Sequence, residues 1–216
     1  FFTTLKVIRL TEKENQGKFG KYIIQKEIGE GGMSKVFLAG HELLLRPTAL
    51  KVIKPEASED LKVHLENIDC VVTIGYGVLL PQSILDIPRS GFINLHFSLL
   101  PAYRGAAPVQ RALQNGDLIS GVSVFQLEKG MDTGPIYSTI SLQIEPQWRS
   151  TELLSVLSKL GPKAVEKALQ MIERGESPTP QIGDSTIAPK ISKLEAQIDF
   201  RRDSTTIVNH IRAFTY

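Results

Sequence analysis

The chain has 216 residues, 42% of them hydrophobic, enough to bury a sizeable core in one or two domains and too much for a disordered tail. Its 25 Lys and Arg residues against 23 Asp and Glu leave a net charge of +2, too small to argue for a nucleic-acid or anionic-membrane partner from electrostatics alone. The single cysteine, Cys70, excludes an intrachain disulfide and gives no metal framework, so no metal is expected.

The apolar stretch from Val71 to Leu80 is broken by Gly75 and Gly77 and falls short of the roughly 20 residues that a membrane span needs. The first residues mix Lys6, Arg9, Glu12, Lys13 and Glu14, unlike a signal peptide. A cytoplasmic protein without membrane association is expected, as a monomer. The opening at Phe1 rather than Met suggests an incomplete amino terminus.

Within residues 18–55, Ile28-Gly29-Glu30-Gly31-Gly32-Met33-Ser34-Lys35-Val36-Phe37 is followed by Ala49-Leu50-Lys51-Val52-Ile53. This segment resembles the first strands of a serine/threonine protein kinase, in which a glycine-rich hairpin covers ATP phosphates and a lysine of the third strand contacts them. The resemblance makes Gly29, Gly31 and Lys51 candidate nucleotide-binding residues, although Ser34 stands where a third glycine is usual. The chain has no His-Arg-Asp, and Asp199-Phe200-Arg201 lacks the glycine of a magnesium motif, so an incomplete, inactive kinase fragment is expected.

From Leu61 onward the pattern is α/β. Asp69 to Val72 reads as a buried strand, with Cys70 as a small core residue, and Gly75 to Pro81 as the loop leaving it. Ser83 to Leu85 opens a short helix before Pro88, and Phe92 to His96 is a strand. Val109 to Gln114 is a helix ended by Asn115-Gly116, and Gly121 to Leu127 is the next strand. Lys129 to Pro135 is a turn-rich loop, and Tyr137 to Ile144 is extended. Ser150 or Thr151 caps a helix through Leu160; Pro162 opens a second, which carries Val165, Ala168, Leu169 and Ile172 at helical spacing and stops at Gly175. Strands separated by helices predict a doubly wound, mainly parallel sheet, with ligands beyond the strand ends. His96 ends one such strand and Asp132 follows another, so one crevice can hold both.

The most informative stretch is Gly91-Phe92-Ile93-Asn94-Leu95-His96-Phe97-Ser98-Leu99-Leu100-Pro101-Ala102-Tyr103-Arg104-Gly105. Strand alternation puts Asn94 and His96 on one side, an amide donor beside a proton-switching imidazole. Asn-x-His-x-Ser-Leu-Leu-Pro followed by Arg104-Gly105-Ala106-Ala107-Pro108-Val109-Gln110 resembles the signature of the folate-dependent formyltransferases, the methionyl-tRNA formyltransferases in particular. Gly130-Met131-Asp132-Thr133-Gly134 and Ala188-Pro189-Lys190-Ile191 fit the same resemblance, which runs nearly to Phe214.

The resemblance implies transfer of a formyl group from 10-formyltetrahydrofolate to the amino group of initiator methionyl-tRNA, with Asn94, His96 and Asp132 as catalytic residues. Formyl transfer develops negative charge on a carbonyl oxygen and removes a proton from an amine. Asn94 and protonated His96 are suitable oxyanion donors, Asp132 a suitable partner for the imidazolium, and the His96–Asp132 pair a proton acceptor. By the same resemblance Tyr76, Gly77, Leu80 and Pro81, with Ser98, Leu99, Leu100 and Pro101, bind the pterin, and Arg104 binds substrate.

The expected organisation is a kinase-like fragment over 1–60, a formyltransferase core over 61–190, and a junction toward a carboxyl-terminal barrel over 191–216. The family's amino-terminal Gly-Thr-Pro segment with its first strands and basic loop has no counterpart before Leu61, and Thr215-Tyr216 departs from the usual junction, so an incomplete core is expected. The alternatives are a formyltransferase acting on a sugar amine and a non-catalytic, kinase-like nucleotide-binding fusion.

Overall fold

The computed structural model describes residues 5–9, 18–19, 22–30, 34–41, 47–53, 65–75 and 79–215. The chain divides into two compact units, Phe1–Asn67 and Ile68–Tyr216.

The first unit is a five-stranded sheet of β1 (Leu5–Arg9), β2 (Lys18–Phe19), β3 (Tyr22–Glu30), β4 (Ser34–His41) and β5 (Pro47–Ile53), in the order β1-β5-β4-β3-β2. Strands β3, β4 and β5 form an antiparallel meander, and β1 runs parallel to β5. Val36 pairs with Gly29 on one side and with Lys51 on the other.

The second unit is built on β6 (Val71–Ile74), β7 (Phe92–His96), β9 (Ile119–Gln126) and β10 (Ile136–Gln143), in the order β10-β9-β7-β6. The sheet is mixed. Strand β6 pairs parallel with β7, as a doubly wound pattern predicts, while β9 and β10 add antiparallel neighbours. Between β7 and β9 the chain passes through the short strand β8 (Arg104–Gly105) and the eight-residue helix α2 (Pro108–Asn115), which delivers β9 beside β7 in the opposite sense. A second small sheet joins β8 to β11 (Ile187–Ala188), in parallel.

Strand β7 is central, and all five of its residues are buried. Ile93 and Leu95 belong to the main core with Val122 and Val124, packed beneath helix α3 (Ser150–Glu173) through Leu153, Leu157, Ala164 and Ala168. Leu153 and Leu157 are wholly buried, each worth about 1.5–3 kcal/mol of apolar burial. With that face filled by the core, Asn94 and His96 emerge on the other. Strand β6 begins and ends two residues later than expected and is only half-buried: as an edge of the described sheet it leaves Val72 and Ile74 exposed.

Two helices were expected across residues 150–172, and one forms. Pro162 lies inside α3, where proline ordinarily breaks a helix by removing a backbone donor and crowding the preceding turn. Continuity of the seam Leu153, Leu157, Gly161, Ala164 and Ala168 overrides this local preference. A Cβ on Gly161 would lie 2.5 Å from Leu95 Cδ2, so the missing side chain lets the helix sit close to β7. The expected stop holds, with Gly175 at φ +71° just beyond the helix.

The short helix α1 (Gln82–Leu85) follows the loop after β6. Helix α4 (Ser204–Phe214) is capped by Asp203, whose carboxylate accepts from the Thr206 N–H at 2.9 Å, and buries Ala213. Arg212 ties it to the turn before α3 by donating to the Trp148 carbonyl at 2.8 Å. No helix among the described residues is long and apolar enough to cross a membrane.

Candidate active site

Beyond the carboxyl end of β7 lies a crevice of about 310 Å³ within the second unit, which has Asn94, His96 and Asp132 in its wall together with Leu80, Leu85, Leu127 and Met131. Its chemistry is thus a polar end set against apolar sides. Asn94 and His96 are 8% and 6% exposed, so hydrogen bonds formed there act in a poorly solvated space.

Each polar side chain is held. Thr73 pairs with Asn94 in the β6–β7 register, and its hydroxyl donates to Asn94 Oδ1 at 2.9 Å. With the amide oxygen so occupied, the NH₂ group is the end available for a ligand. The Nε2 of His96 lies 2.8 Å from the Tyr103 carbonyl oxygen, a contact that requires the proton on Nε2 and leaves Nδ1 for chemistry. Asp132 Oδ2 lies 3.8 Å from that Nδ1 and accepts a hydrogen bond from the Gly105 N–H at 2.7 Å. Wholly buried Phe125 packs against the imidazole in a T-shaped contact.

The two residues that address His96 share a backbone feature. Tyr103 at φ +60° and Asp132 at φ +54° are the non-glycine residues with left-handed backbone among those described. Such strain costs about 1–3 kcal/mol and persists only where its surroundings over-determine it. Around Tyr103 they do: its N–H donates to Thr186 Oγ1 at 2.8 Å, and its hydroxyl donates to Asp117 at 2.7 Å while accepting from Asn115 at 2.9 Å. Burial, then the hydrogen bond to Asp117, pushes the Tyr103 phenol up to about 12.

Ser98, Leu99, Leu100 and Pro101, expected at the pterin, are outside the crevice wall. They form a brace behind it. Ser98 Oγ donates to the Ala102 carbonyl at 2.6 Å, and Ser123 accepts from the Leu100 N–H while donating to the Ser98 carbonyl. This turn, which contains a cis Leu100–Pro101 bond, delivers Tyr103 to His96. Of the other residues expected at the pterin, Leu80 lines the crevice, Pro81 caps α1, and Tyr76 and Gly77 lie outside the described residues.

Arg104, expected to bind substrate, is engaged within the protein: its Nε and Nη2 donate to Gln181 Oε1 at 3.1 and 2.6 Å. Gln181 Nε2 donates in turn to the carbonyls of Asp132 at 2.9 Å and Gly134 at 2.8 Å. Gln181, Thr73 and the Tyr103 carbonyl were not singled out from the sequence. Thr73 had a faint signal, a polar residue in an apolar strand; Gln181, 49 residues beyond Asp132, had none.

In the first unit, Gly29 lies in β3 and Lys51 in β5, while Gly31 and the Lys51 side chain lie outside the described residues.

A family model described as Formyl transferase matches residues 22–169. The chain belongs to the formyl transferase family. The match includes the hairpin read as kinase-like, and that resemblance gains no support from it. This chain is 42% identical over 190 residues to the methionyl-tRNA formyltransferase of Francisella tularensis and 40% identical to that of Francisella philomiragia. The alignments cover 88% of this chain and 59–60% of those proteins, so it spans about three-fifths of their length.

Solved structures share the fold. The Helicobacter canadensis N-formyltransferase in complex with folinic acid and dTDP-3-aminofucose superimposes with a TM-score of 0.64 at 21% identity, over 77% of this chain and 65% of that one. For methionyl-tRNA formyltransferase from Clostridium thermocellum the score is 0.57 at 20% identity, over 76% and 70% of the two chains. HypX from Aquifex aeolicus in complex with tetrahydrofolic acid gives 0.61 at 21% identity, over 76% and 29%.

Proposed function

We propose that this crevice transfers a formyl group from 10-formyltetrahydrofolate to the amino group of initiator methionyl-tRNA. The observation that carries the reading is the convergence of Asn94, His96 and Asp132 on one poorly solvated crevice, with the proton of His96 assigned to Nε2 by the Tyr103 carbonyl. The relatives of highest identity named above, at 42% and 40%, are methionyl-tRNA formyltransferases, and this favours the tRNA substrate. A cytoplasmic, monomeric enzyme belongs to the same proposal.

The residues fit a folate. Leu80, Leu85, Leu127 and Met131 offer apolar sides to a flat ring, beside polar groups at one end. When bound, the folate supplies the formyl carbonyl. The Asn94 NH₂ group donates to the carbonyl oxygen as negative charge gathers there, a role worth about 3 kcal/mol in comparable sites. His96 Nδ1 accepts the proton leaving the attacking amine, while Nε2–H stays on the Tyr103 carbonyl. The Asp132 carboxylate, 3.8 Å from Nδ1, stabilises the imidazolium that results, and the imidazolium returns that proton to the donor nitrogen of the folate as the bond from that nitrogen to the formyl carbon breaks.

The test is formylation of initiator methionyl-tRNA with 10-formyltetrahydrofolate, run beside a dTDP-amino sugar as acceptor. Transfer to the tRNA supports the proposal; transfer to the sugar alone gives the reading suggested by the sugar N-formyltransferase neighbours. For the first unit, a separate nucleotide-binding reading of Gly29, Gly31 and Lys51 is carried by the sequence motif alone. Titration with Mg-ATP against Lys51→Ala tests it.

A further inference from the structure

Gln181 uses every hydrogen-bonding capacity of its amide. Both Nε2 protons go to backbone carbonyls, of Asp132 and Gly134, and Oε1 accepts two N–H groups of Arg104. Arg104 is bonded covalently to Gly105, whose N–H donates to the Asp132 carboxylate. The chain of contacts therefore closes on itself: Asp132 carboxylate, Gly105, Arg104, Gln181, Asp132 carbonyl.

We propose that Gln181 is a positioning residue for Asp132, its amide closing a ring that holds the carboxylate against His96 and couples that placement to Arg104. The inference rests on the formyl-transfer reading of the crevice. Asp132 is held in a left-handed conformation at φ +54°, and its loop carries Gly130 and Gly134, which bring no side chains to pack. Without the two amide donors, both carbonyls turn to water and the loop relaxes toward ordinary backbone. The carboxylate then leaves Gly105 and His96 together. The ring requires an amide. Glutamate at position 181 would set acceptors against two carbonyl oxygens, and methionine keeps the length of the side chain without donors or strong acceptors. Gln181 is half-buried at the surface and outside the main core, so its replacement leaves the sheet and α3 intact.

Residue-resolved amide exchange in the full chain tests the ring independently of activity, with Gln181→Met, Gln181→Ala and Asp132→Ala beside the parent. In both Gln181 variants, as in Asp132→Ala, Gly105 is expected to exchange at least ten-fold faster while the amides of Val122 to Phe125 keep their parent rates. Adding Asp132→Ala to Gln181→Met should change Gly105 by less than two-fold. In formyl transfer, Gln181→Met should lower kcat at least ten-fold with the KM for the folate donor within two-fold, and Gln181→Glu should not restore it. Parent-like exchange at Gly105 in both Gln181 variants overturns the proposal, and so does a KM change without a kcat change. Faster Gly105 exchange in the Gln181 variants, with a parent protein that transfers no formyl group, would confirm the ring and count against formyl transfer.

Discussion

Replacing Thr73 by valine removes one hydroxyl and little volume, and so tests what that hydroxyl, which also lies 3.2 Å from the Ile93 carbonyl oxygen, does for Asn94. In the parent it donates to Asn94 Oδ1 at 2.9 Å, and Asn94 is only 8% exposed. A buried acceptor left without its donor costs about 1–3 kcal/mol. For a chain of this size that corresponds to a fall in Tm of about 2–4 °C per kcal/mol. Part of the cost can be recovered by rotating the amide so that Oδ1 faces the crevice, which replaces the oxyanion donor by an acceptor. If the same 1–3 kcal/mol is lost from the transition state, kcat falls about 5- to 150-fold, reaching at most the low end of the about 10²- to 10³-fold loss for deleting such a donor. The KM for the folate donor should change little. Thr73→Ser, which keeps the hydroxyl, should remain within a few-fold of the parent. Thermal denaturation and steady-state formyl transfer on the same preparations check both halves. If Thr73→Val matched the parent in kcat and Tm, the orientation argued for Asn94 would be refuted.

Gly105→Ala should be severely destabilising. Its φ is +120°, and a Cβ would sit 2.7 Å from the Ala188 carbonyl oxygen, so backbone strain of about 1–3 kcal/mol adds to a steric clash. A urea midpoint equal to the parent's would show that β8 and β11 are not packed this closely. Leu157→Ala removes a wholly buried side chain of the main core and should cost about 2–5 kcal/mol in urea denaturation. A loss below 1 kcal/mol on the scale of such truncations would place Leu157 outside the cooperative core. Because the Tyr103 phenol is raised to about 12 from an ordinary 10, the folded state favours its neutral form. That contribution is complete below pH 10 and is lost as the pH rises from 10 to about 12, so the urea midpoint should fall across that window. Tyr103→Phe should remove that part of the fall, and an identical alkaline profile in the variant would contradict it.

Elements with strong local signals were legible in the sequence. Strand β7 matches its expected bounds, helix α2 ends at Asn115-Gly116 as read, and the loop bearing Asp132 lies between two strands as expected. The motif residues Asn94, His96 and Asp132 converge because alternation along β7 and a turn after β9 are local facts that one sequence displays. Where packing outweighs local preference the sequence misleads, as at Pro162: the seam beneath α3 is made with Ile93 and Leu95, more than 60 positions away, and no window around the proline contains them.

The site's supports were hidden for a related reason. Ser98 to Pro101 carry a family signature, which invited a role at the ligand; what the signature did not reveal is that hydroxyl and backbone bonds with Ser123 and Ala102 brace the turn that presents the Tyr103 carbonyl. Arg104 was read as a substrate contact by resemblance alone; in the structure it is held by Gln181, which the chain reaches only after two more strands and two more helices. Hydrogen bonds between such distant residues leave no periodicity, and only the assembled fold shows them.

The central claim is that Asn94, His96 and Asp132 perform formyl transfer as a unit. The most direct measurement is the rate of N-formylmethionyl-tRNA formation from 10-formyltetrahydrofolate by the parent protein and by Asn94→Ala, His96→Ala, Asp132→Asn and the His96–Asp132 double variant. Each single change should lower kcat by at least about two orders of magnitude, and the double change should cost far less than the product of its two singles, because groups acting together are not additive. Single variants within a few-fold of an active parent would contradict the account.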